Sequence, residues 1–194
     1  MKRLLMLTLI FALAFSFAFA DEAAQLLEKD KAAADGGGSG ELLLGRGGPD
    51  AFGYSWVDND GGGGPTYNWI DITAMGTEVT GLGDDNSVGP FPFGFEFPYY
   101  DYNVARCWIG VNGYVSFSSS QPFAYPFTNI PNPALPNDLV AILGGDLNFV
   151  FGGSCYYYSN NSDSFIVSWI EVPEFGPDYH WNDSIHTFQV IFSA

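Results

Sequence analysis

VGPFPFGFEFPYYDYNVARCWIGVNGYVSF, residues 88–117, is the stretch of sequence that decides the fold. Phenylalanine recurs at every second position from Phe91 to Phe97, and proline, glycine and glutamate occupy the positions between. Successive side chains of a β-strand point to opposite faces, so this alternation predicts a strand with one buried face. Proline cannot donate a ladder hydrogen bond, and Pro92 and Pro98 therefore predict that this strand lies at a sheet edge.

A hairpin is predicted further along the same stretch. Asn112-Gly113 lies between the apolar segments 108–111 and 114–117. Asn-Gly between two such segments is a strong hairpin signal, because a type I′ turn needs two residues with positive φ. We therefore predict a type I′ turn at these two residues.

The remaining sequence after Gly47 consists of short apolar segments separated by Gly, Pro and Asn, without a sustained helical period. Asn160 to Asp163 predict a second hairpin loop, and residues 119–137 a proline-rich loop. The candidate strands are 51–57, 67–73, 91–97, 106–111, 114–118, 139–143, 155–159, 164–172 and 187–192. This succession predicts an all-β fold, an antiparallel β-sandwich with a jelly-roll-like arrangement.

The N-terminus has the three regions of a secretory signal peptide. Two basic residues precede an apolar run from Leu4 to Phe19, and Ala18-Phe19-Ala20 forms a small-residue cleavage site. We predict a signal peptide over residues 1–20. The alternative is an uncleaved membrane anchor, but the run is shorter than the roughly 20 residues of a membrane span. No later segment is long and apolar enough to span a bilayer, so we predict no span in the mature chain.

The domain organisation follows from a change in composition. Residues 21–46 are predicted to be a spacer or pro-segment that ends in a glycine-rich flexible linker. Residues 47–194 are predicted to form one β-sandwich domain of ordinary size. The last candidate strand runs almost to Ala194, so we expect further strands beyond it in the full gene product.

The charge of the chain excludes one class of partner. The formal net charge is −16, and Arg106 is the only basic residue after Gly47. Such a surface repels phosphates, so nucleic acid is excluded as a partner. An acidic surface suits cation binding, a high-salt habitat or simple solubility.

Cys107 and Cys155 are the only cysteines, and both lie in candidate strands. Export would place them where thiols are oxidised, so we predict a disulfide between them. Two buried free thiols are the alternative.

Four motifs in order resemble the nidogen-like extracellular domain and related β-rich modules of secreted bacterial surface proteins. They are FGFEFPYY (93–100), WIGVNGYVSF (108–117), CYYY leading to FIVSW (155–169), and TFQV (187–190). GGGGPTYNWIDI (61–72) is similar to the lead-in of the bacterial modules. The stretch Ile142 to Leu147 departs from the Pro-Phe-Trp-Asp-like sequence of such domains. The resemblance implies a non-catalytic adhesive or matrix-type role.

The residues themselves also argue against an enzyme. Neither a Gly-x-Ser-x-Gly elbow nor a phosphate-binding loop is present in the sequence. His180 and His186 lack the helical i, i+4 spacing of zinc hydrolases. We predict no catalytic residues.

Calcium is the cofactor that the sequence favours. Asp58, Asn59 and Asp60, and separately Asp84 and Asp85, are clusters of oxygen donors in turns, and calcium takes six to eight such oxygens. The alternative is that each cluster forms Asx turns with its own backbone.

Tyr179 and Trp181 flank His180 in a polar loop and are the predicted ligand-binding residues. Flat aromatic faces of this kind bind sugar rings or protein partners. We expect a secreted or cell-surface bacterial module that binds an extracellular protein or glycan in adhesion or ligand recognition. The alternatives are an accessory domain of a secreted protease or glycosidase, and a structural spacer.

Overall fold

The structure is a computed structural model and describes residues 45–59, 63–120, 130, 133, 137–176 and 184–194. The chain divides into two compact units, Met1–Tyr67 and Asn68–Ala194. In the described part of the first unit, β1 (Arg46–Gly47) pairs antiparallel with β2 (Trp56–Val57). Residues 1–44, with the predicted signal peptide and most of the spacer, lie outside the described residues.

Two four-stranded antiparallel sheets make up the second unit. In spatial order, the first contains β4 (Ser87–Tyr99), β5 (Tyr102–Gly110), β6 (Tyr114–Ser116) and β7 (Leu139–Ala141). The second contains β10 (Ile185–Ser193), β9 (Ser164–Pro173), β8 (Ser154–Ser159) and β3 (Thr77–Glu78). A 3-10 helix at Phe149–Phe151 precedes β8.

The two sheets face each other across one hydrophobic core. Phe93 of β4 stacks on Phe165 of β9, with ring centroids 4.5 Å apart, and lies 5.2 Å from Phe192 of β10. Trp169 of β9 is fully buried and donates its indole N–H to the Gly110 carbonyl at 3.0 Å. The predicted antiparallel β-sandwich is therefore confirmed. Consecutive strands mostly pair within one sheet, so their order is a meander rather than the jelly-roll-like order expected.

The alternation in β4 is confirmed. Phe93 is fully buried and the other three phenylalanines are half-buried, whereas Pro92, Gly94, Glu96 and Pro98 are exposed. The strand lies at a sheet edge, as its prolines require.

The Asn-Gly hairpin is confirmed, but its predicted turn type is wrong. Gly110 pairs with Tyr114, which leaves a three-residue loop from Val111 to Gly113, and of these only Gly113 has positive φ, at 75°. A three-residue loop that ends in a left-handed glycine is the next commonest hairpin type. The reason lies at Asn112, whose side chain is buried and bonded to two neighbouring segments.

Two predicted strands are wrong over most of their length. In residues 51–57 only Trp56 and Val57 are in a strand, because Asp50 accepts hydrogen bonds from the Phe52 and Tyr54 backbone and holds a turn. Residues 67–73 contain no strand. There, the Gln189 side chain accepts from the Ile70 N–H at 3.3 Å and donates to the Ile70 carbonyl at 2.8 Å, replacing a ladder partner. Across the residues described, no helix is long and apolar enough to cross a membrane.

Candidate functional site

Three aspartates converge at one end of the sandwich. Asp84, Asp85 and Asp146 each offer a carboxylate oxygen, and these oxygens lie within 4.8 Å of one another. Asp84 is exposed and the other two are half-buried. Within the described ranges this is the one place where three such metal-binding side chains come together.

Asn112 positions two parts of this aspartate cluster. Its amide nitrogen donates to the Asp85 carboxylate at 2.7 Å, and its amide oxygen accepts from the Leu147 N–H at 2.8 Å. Asp85 itself has φ of 49°, a left-handed conformation that aspartate tolerates better than most residues. The tip of the β5–β6 hairpin thus fixes both aspartate loops through one buried side chain.

Backbone pairing holds the same two loops together. Asp84 forms an isolated antiparallel bridge with Asn148, and the Phe149 N–H donates to the Gly83 carbonyl at 2.8 Å. On the other side, the Asp146 carbonyl accepts from the Phe175 N–H at 2.6 Å. Asp146 is therefore held between the loop before β4 and the end of β9.

The electrostatics of the cluster are unfavourable without a cation. Burial raises the pKa of the Asp84 carboxyl, and the charge of Asp85 raises it further. Burial likewise raises the pKa of Asp146, with further contributions from Asp85, Asp84 and Glu174. No ion pair among the described residues includes Asp84, Asp85 or Asp146; the neighbouring Glu174 pairs with His186 at 3.5 Å.

The chemistry of this cluster matches a hard divalent cation. Calcium binds carboxylate and carbonyl oxygens in flexible geometry, and its charge offsets the repulsion between carboxylates. With one oxygen from each carboxylate, the three side chains supply fewer than the six to eight oxygens that calcium takes, so backbone carbonyls or water would complete the coordination.

The predicted site residues have different outcomes. Asp84 and Asp85 lie in the cluster, whereas Asp58 and Asn59 belong to the other compact unit. Asp60, Tyr179 and Trp181 lie outside the described residues, as does His180. The calcium and recognition roles of all these residues stay predictions.

Sequence reasoning missed Asp146 as a member of this cluster. It is 61 positions from Asp85 and has no acidic neighbour, so local spacing does not connect the two. The one signal was Gly144-Gly145-Asp146 directly after an apolar segment, a turn that ends in an oxygen donor.

Cys107 and Cys155 are both buried and are present as free thiols, so the predicted disulfide is not formed in this structure. They belong to opposite sheets, in β5 and β8, and to the same core. Burial raises the pKa of both thiols, and the nearby Cys107 raises the pKa of Cys155 further. The disulfide stays a prediction for the oxidised protein.

Comparison with known proteins gives one result for the family. The family model described as NIDO related matches residues 63–193, which is more than half of the chain and includes both sheets of the sandwich. No curated protein and no solved structure matches the chain significantly. The nidogen-like resemblance of the sequence motifs is thereby confirmed.

Proposed function

This chain belongs to the NIDO-related family, and from that premise we propose that it is a non-catalytic module that binds a protein or glycan outside a bacterial cell. The family match across the whole sandwich carries the proposal. The NIDO-related match supports an extracellular location, and the nidogen-like resemblance implies an adhesive or matrix-type role rather than catalysis. A rigid β-sandwich suits this role because it presents loops at fixed positions.

The aromatic loop around Tyr179 and Trp181 is the proposed contact surface. Tyrosine and tryptophan supply large, rigid contact areas at low cost in conformational entropy. The sequence predicts a polar loop around these two residues, shortly before β10 begins at Ile185.

Binding to a glycan array and to immobilised extracellular matrix proteins tests this proposal. We expect the full chain to bind a restricted set of ligands, and the double variant Tyr179→Ala/Trp181→Ala to lose at least about tenfold in affinity. Tyr67→Ala is the matched control, because Tyr67 is an aromatic residue with 77% exposure outside this loop. Equal losses in both variants would contradict a role for the loop, and retention of the protein inside the cell would contradict the extracellular function.

We also propose that the aspartate cluster binds calcium and stabilises the recognition module. The convergence of Asp84, Asp85 and Asp146 supports this second proposal. A cation that binds only the folded state raises its stability by linkage.

Isothermal titration of the full chain with calcium, and with magnesium at the same ionic strength, tests the cation proposal. We expect heat from calcium binding that Asp84→Asn/Asp146→Asn abolishes. Identical responses to both cations would indicate general screening of an acidic surface instead. The variant Asp58→Asn distinguishes the turn at Asp58 from the aspartate cluster as the calcium site. If the cluster is the site, this variant should bind calcium with the same heat as the unaltered chain.

A further inference from the structure

Three tyrosine rings, called here the tyrosine cluster, meet at the β4–β5 turn, at the end of β5 opposite Asn112. Tyr99 pairs with Tyr102, and Tyr100 lies in the turn between them. The Tyr99 ring centroid lies 4.8 Å from that of Tyr100 and 5.7 Å from that of Tyr102, with interplanar angles of 87° and 84°. Tyr100 and Tyr102 are 47% and 38% exposed. Rings at right angles to one another are the arrangement of the aromatic cages that bind ammonium groups.

Two carboxylates place negative charge beside these rings. Tyr102 forms a side-chain hydrogen bond with Asp138, and burial together with the charges of Asp138 and Asp101 raises the pKa of Tyr102 to about 12. The Phe117 N–H donates to the Asp138 carbonyl at 2.9 Å and so fixes this residue next to β6. Neither Asp101 nor Asp138 forms an ion pair with any residue that the structure describes. The tyrosine cluster therefore combines aromatic faces with negative charge.

The backbone at Tyr100 is strained. Because Tyr99 pairs with Tyr102, the turn has two central residues, and Tyr100, the first of them, has φ of 52°. Glycine is preferred where the first central residue of such a turn has positive φ, and a bulky residue there is uncommon. Strained residues of this kind concentrate at functional sites. The turn thus presents an exposed aromatic ring at a position where glycine would be more stable.

We propose that the tyrosine cluster, with Asp101 and Asp138, binds the ammonium group of a lysine side chain from an extracellular protein. A tyrosine ring attracts a cation placed over its face, and the two carboxylates would balance the charge of that cation. Lysine suits the site because its compact charge is carried on a long flexible stem. The proposal rests on the extracellular recognition role proposed above and adds to it a second contact and the chemistry of the partner.

The charge of the whole chain favours the same partner. With 22 acidic and 6 basic residues, the chain attracts basic protein segments and repels acidic ones. A hard metal ion is a poorer match to the tyrosine cluster, because such ions take a shell of oxygen ligands and gain little from ring faces. The aromatic rings thus favour an organic cation, and the net charge favours a lysine-bearing segment as its source.

Isothermal titration of the full chain with hexalysine, and with hexalysine acetylated at every Nε, tests the proposal in about 0.15 M salt, where distant charges are screened. We expect hexalysine to bind and the acetylated peptide not to bind. Tyr100→Leu retains the net charge and should weaken hexalysine binding at least about threefold. Tyr67→Leu is the matched control at a tyrosine with 77% exposure, and it should bind like the unaltered chain. Asp138→Asn should also weaken binding, whereas Glu78→Gln, which removes one charge from an exposed position of β3, should have little effect.

Tyr100→Gly separates recognition from a purely structural role and does not depend on a destabilised variant. Glycine relieves the strained backbone, so this variant should melt at a higher temperature than the unaltered chain and still bind hexalysine more weakly. Asn161→Gly is the control, because Asn161 also has positive φ, at 59°, in the β8–β9 loop. It should leave the affinity for hexalysine unchanged.

The double variant Tyr179→Ala/Trp181→Ala distinguishes this inference from the contact surface proposed above. It should bind hexalysine like the unaltered chain, whatever its affinity for matrix proteins or glycans. Loss of hexalysine binding in that variant would assign the lysine contact to the other loop and overturn the proposal. Absence of hexalysine binding, equal binding of the acetylated peptide, or equal affinities of Tyr100→Leu and Tyr67→Leu would overturn it as well.

Discussion

Asn112 shows how one residue connects the fold to the candidate cation site. Its side chain is buried, donates to Asp85 and accepts from the Leu147 backbone. The bond from Leu147 is buried and the bond to Asp85 is partly buried, so the Leu147 N–H in particular cannot easily be satisfied once the amide is removed. The same residue therefore closes the hairpin and orients the aspartate cluster.

We expect Asn112→Ala to lower the free energy of unfolding by about 2 kcal/mol, because the Leu147 N–H loses its acceptor in a buried position. Urea denaturation measures this change. Asn103→Ala is the control, since Asn103 is exposed in β5, and it should change stability by less than about 0.5 kcal/mol. A loss of stability at Asn112 no larger than that at Asn103 would contradict this structural role of the Asn112 side chain.

Asp146 is the second residue whose replacement is informative. Its raised pKa and that of Asp84 mean that the folded state binds protons at these groups more tightly than the unfolded chain does. The two carboxylates therefore lower stability at neutral pH, and this effect disappears as the pH falls through the raised pKa values towards the ordinary 3.8.

In the presence of chelator at pH 7, Asp146→Asn should raise the melting temperature, because it removes one charge from the cluster. The difference from the unaltered protein should shrink as the pH approaches 4. Calcium should stabilise the unaltered protein and have little effect on the variant. Glu96→Gln, which removes one charge from an exposed position of β4, should reproduce neither effect. A lower melting temperature for Asp146→Asn in chelator would contradict the claim that repulsion between the carboxylates of the cluster lowers stability.

Among the elements, β4 combines a buried aromatic face with an irregular backbone. Its register with β5 shifts between Val88 and Phe91 and again between Pro92 and Phe97. Gly94 lies within the second shift with φ of +83°, and a Cβ there would lie 2.6 Å from the Asn161 Cα of the β8–β9 hairpin loop. Ser159 of β8 also donates to the Phe93 carbonyl. The irregular segment is thus the place where an edge strand meets the opposite sheet.

Gly94→Ala should therefore lower the free energy of unfolding by about 2 to 4 kcal/mol, the sum of left-handed strain and a backbone clash. Gly81→Ala is the matched control. Gly81 has φ of +92°, but its added Cβ would meet only the Val88 side chain at 3.8 Å. It should cost about 1 to 2 kcal/mol in the same denaturation experiment. Equal costs at both glycines would show that the close approach to Asn161 contributes nothing.

At the scale of the whole molecule, the sandwich is held by one core that two facing sheets share. The cysteines lie in this core, one on each sheet, and the segment between them contains β6, β7 and the aspartate loop of Asp146. A bond between them would link the sheets covalently. Because burial raises both thiol pKa values, the reactive thiolate is scarce in the folded protein.

We expect the Cys107–Cys155 disulfide to form during folding in a glutathione redox buffer, as two thiols transfer two electrons and two protons to oxidised glutathione. It should not form when the same buffer is added to protein already folded in reductant. Mass spectrometry after alkylation distinguishes the two products. The oxidised form should be more stable by about 2 to 4 kcal/mol, and Cys107→Ala/Cys155→Ala should be insensitive to reductant. Free thiols at both cysteines after oxidative folding would contradict the predicted disulfide.

The local pattern of the chain was enough to determine the all-β class, the buried face and edge position of β4, and the two hairpins, because these depend on the period-two alternation and on turn residues close in sequence. It was not enough for the turn type at Asn112, where long-range hydrogen bonds override the preference of Asn-Gly. It also did not reveal that residues 67–73 form no strand, because there a side chain from β10 makes the hydrogen bonds that a neighbouring strand would otherwise make. Asp84 and Asp85 are visible as neighbours, but Asp146 joins them only when the loop before β4 and the loop after β7 pack together. That convergence is a property of the tertiary structure, since the distance between two loops depends on the packing of the strands that carry them and not on their own residues.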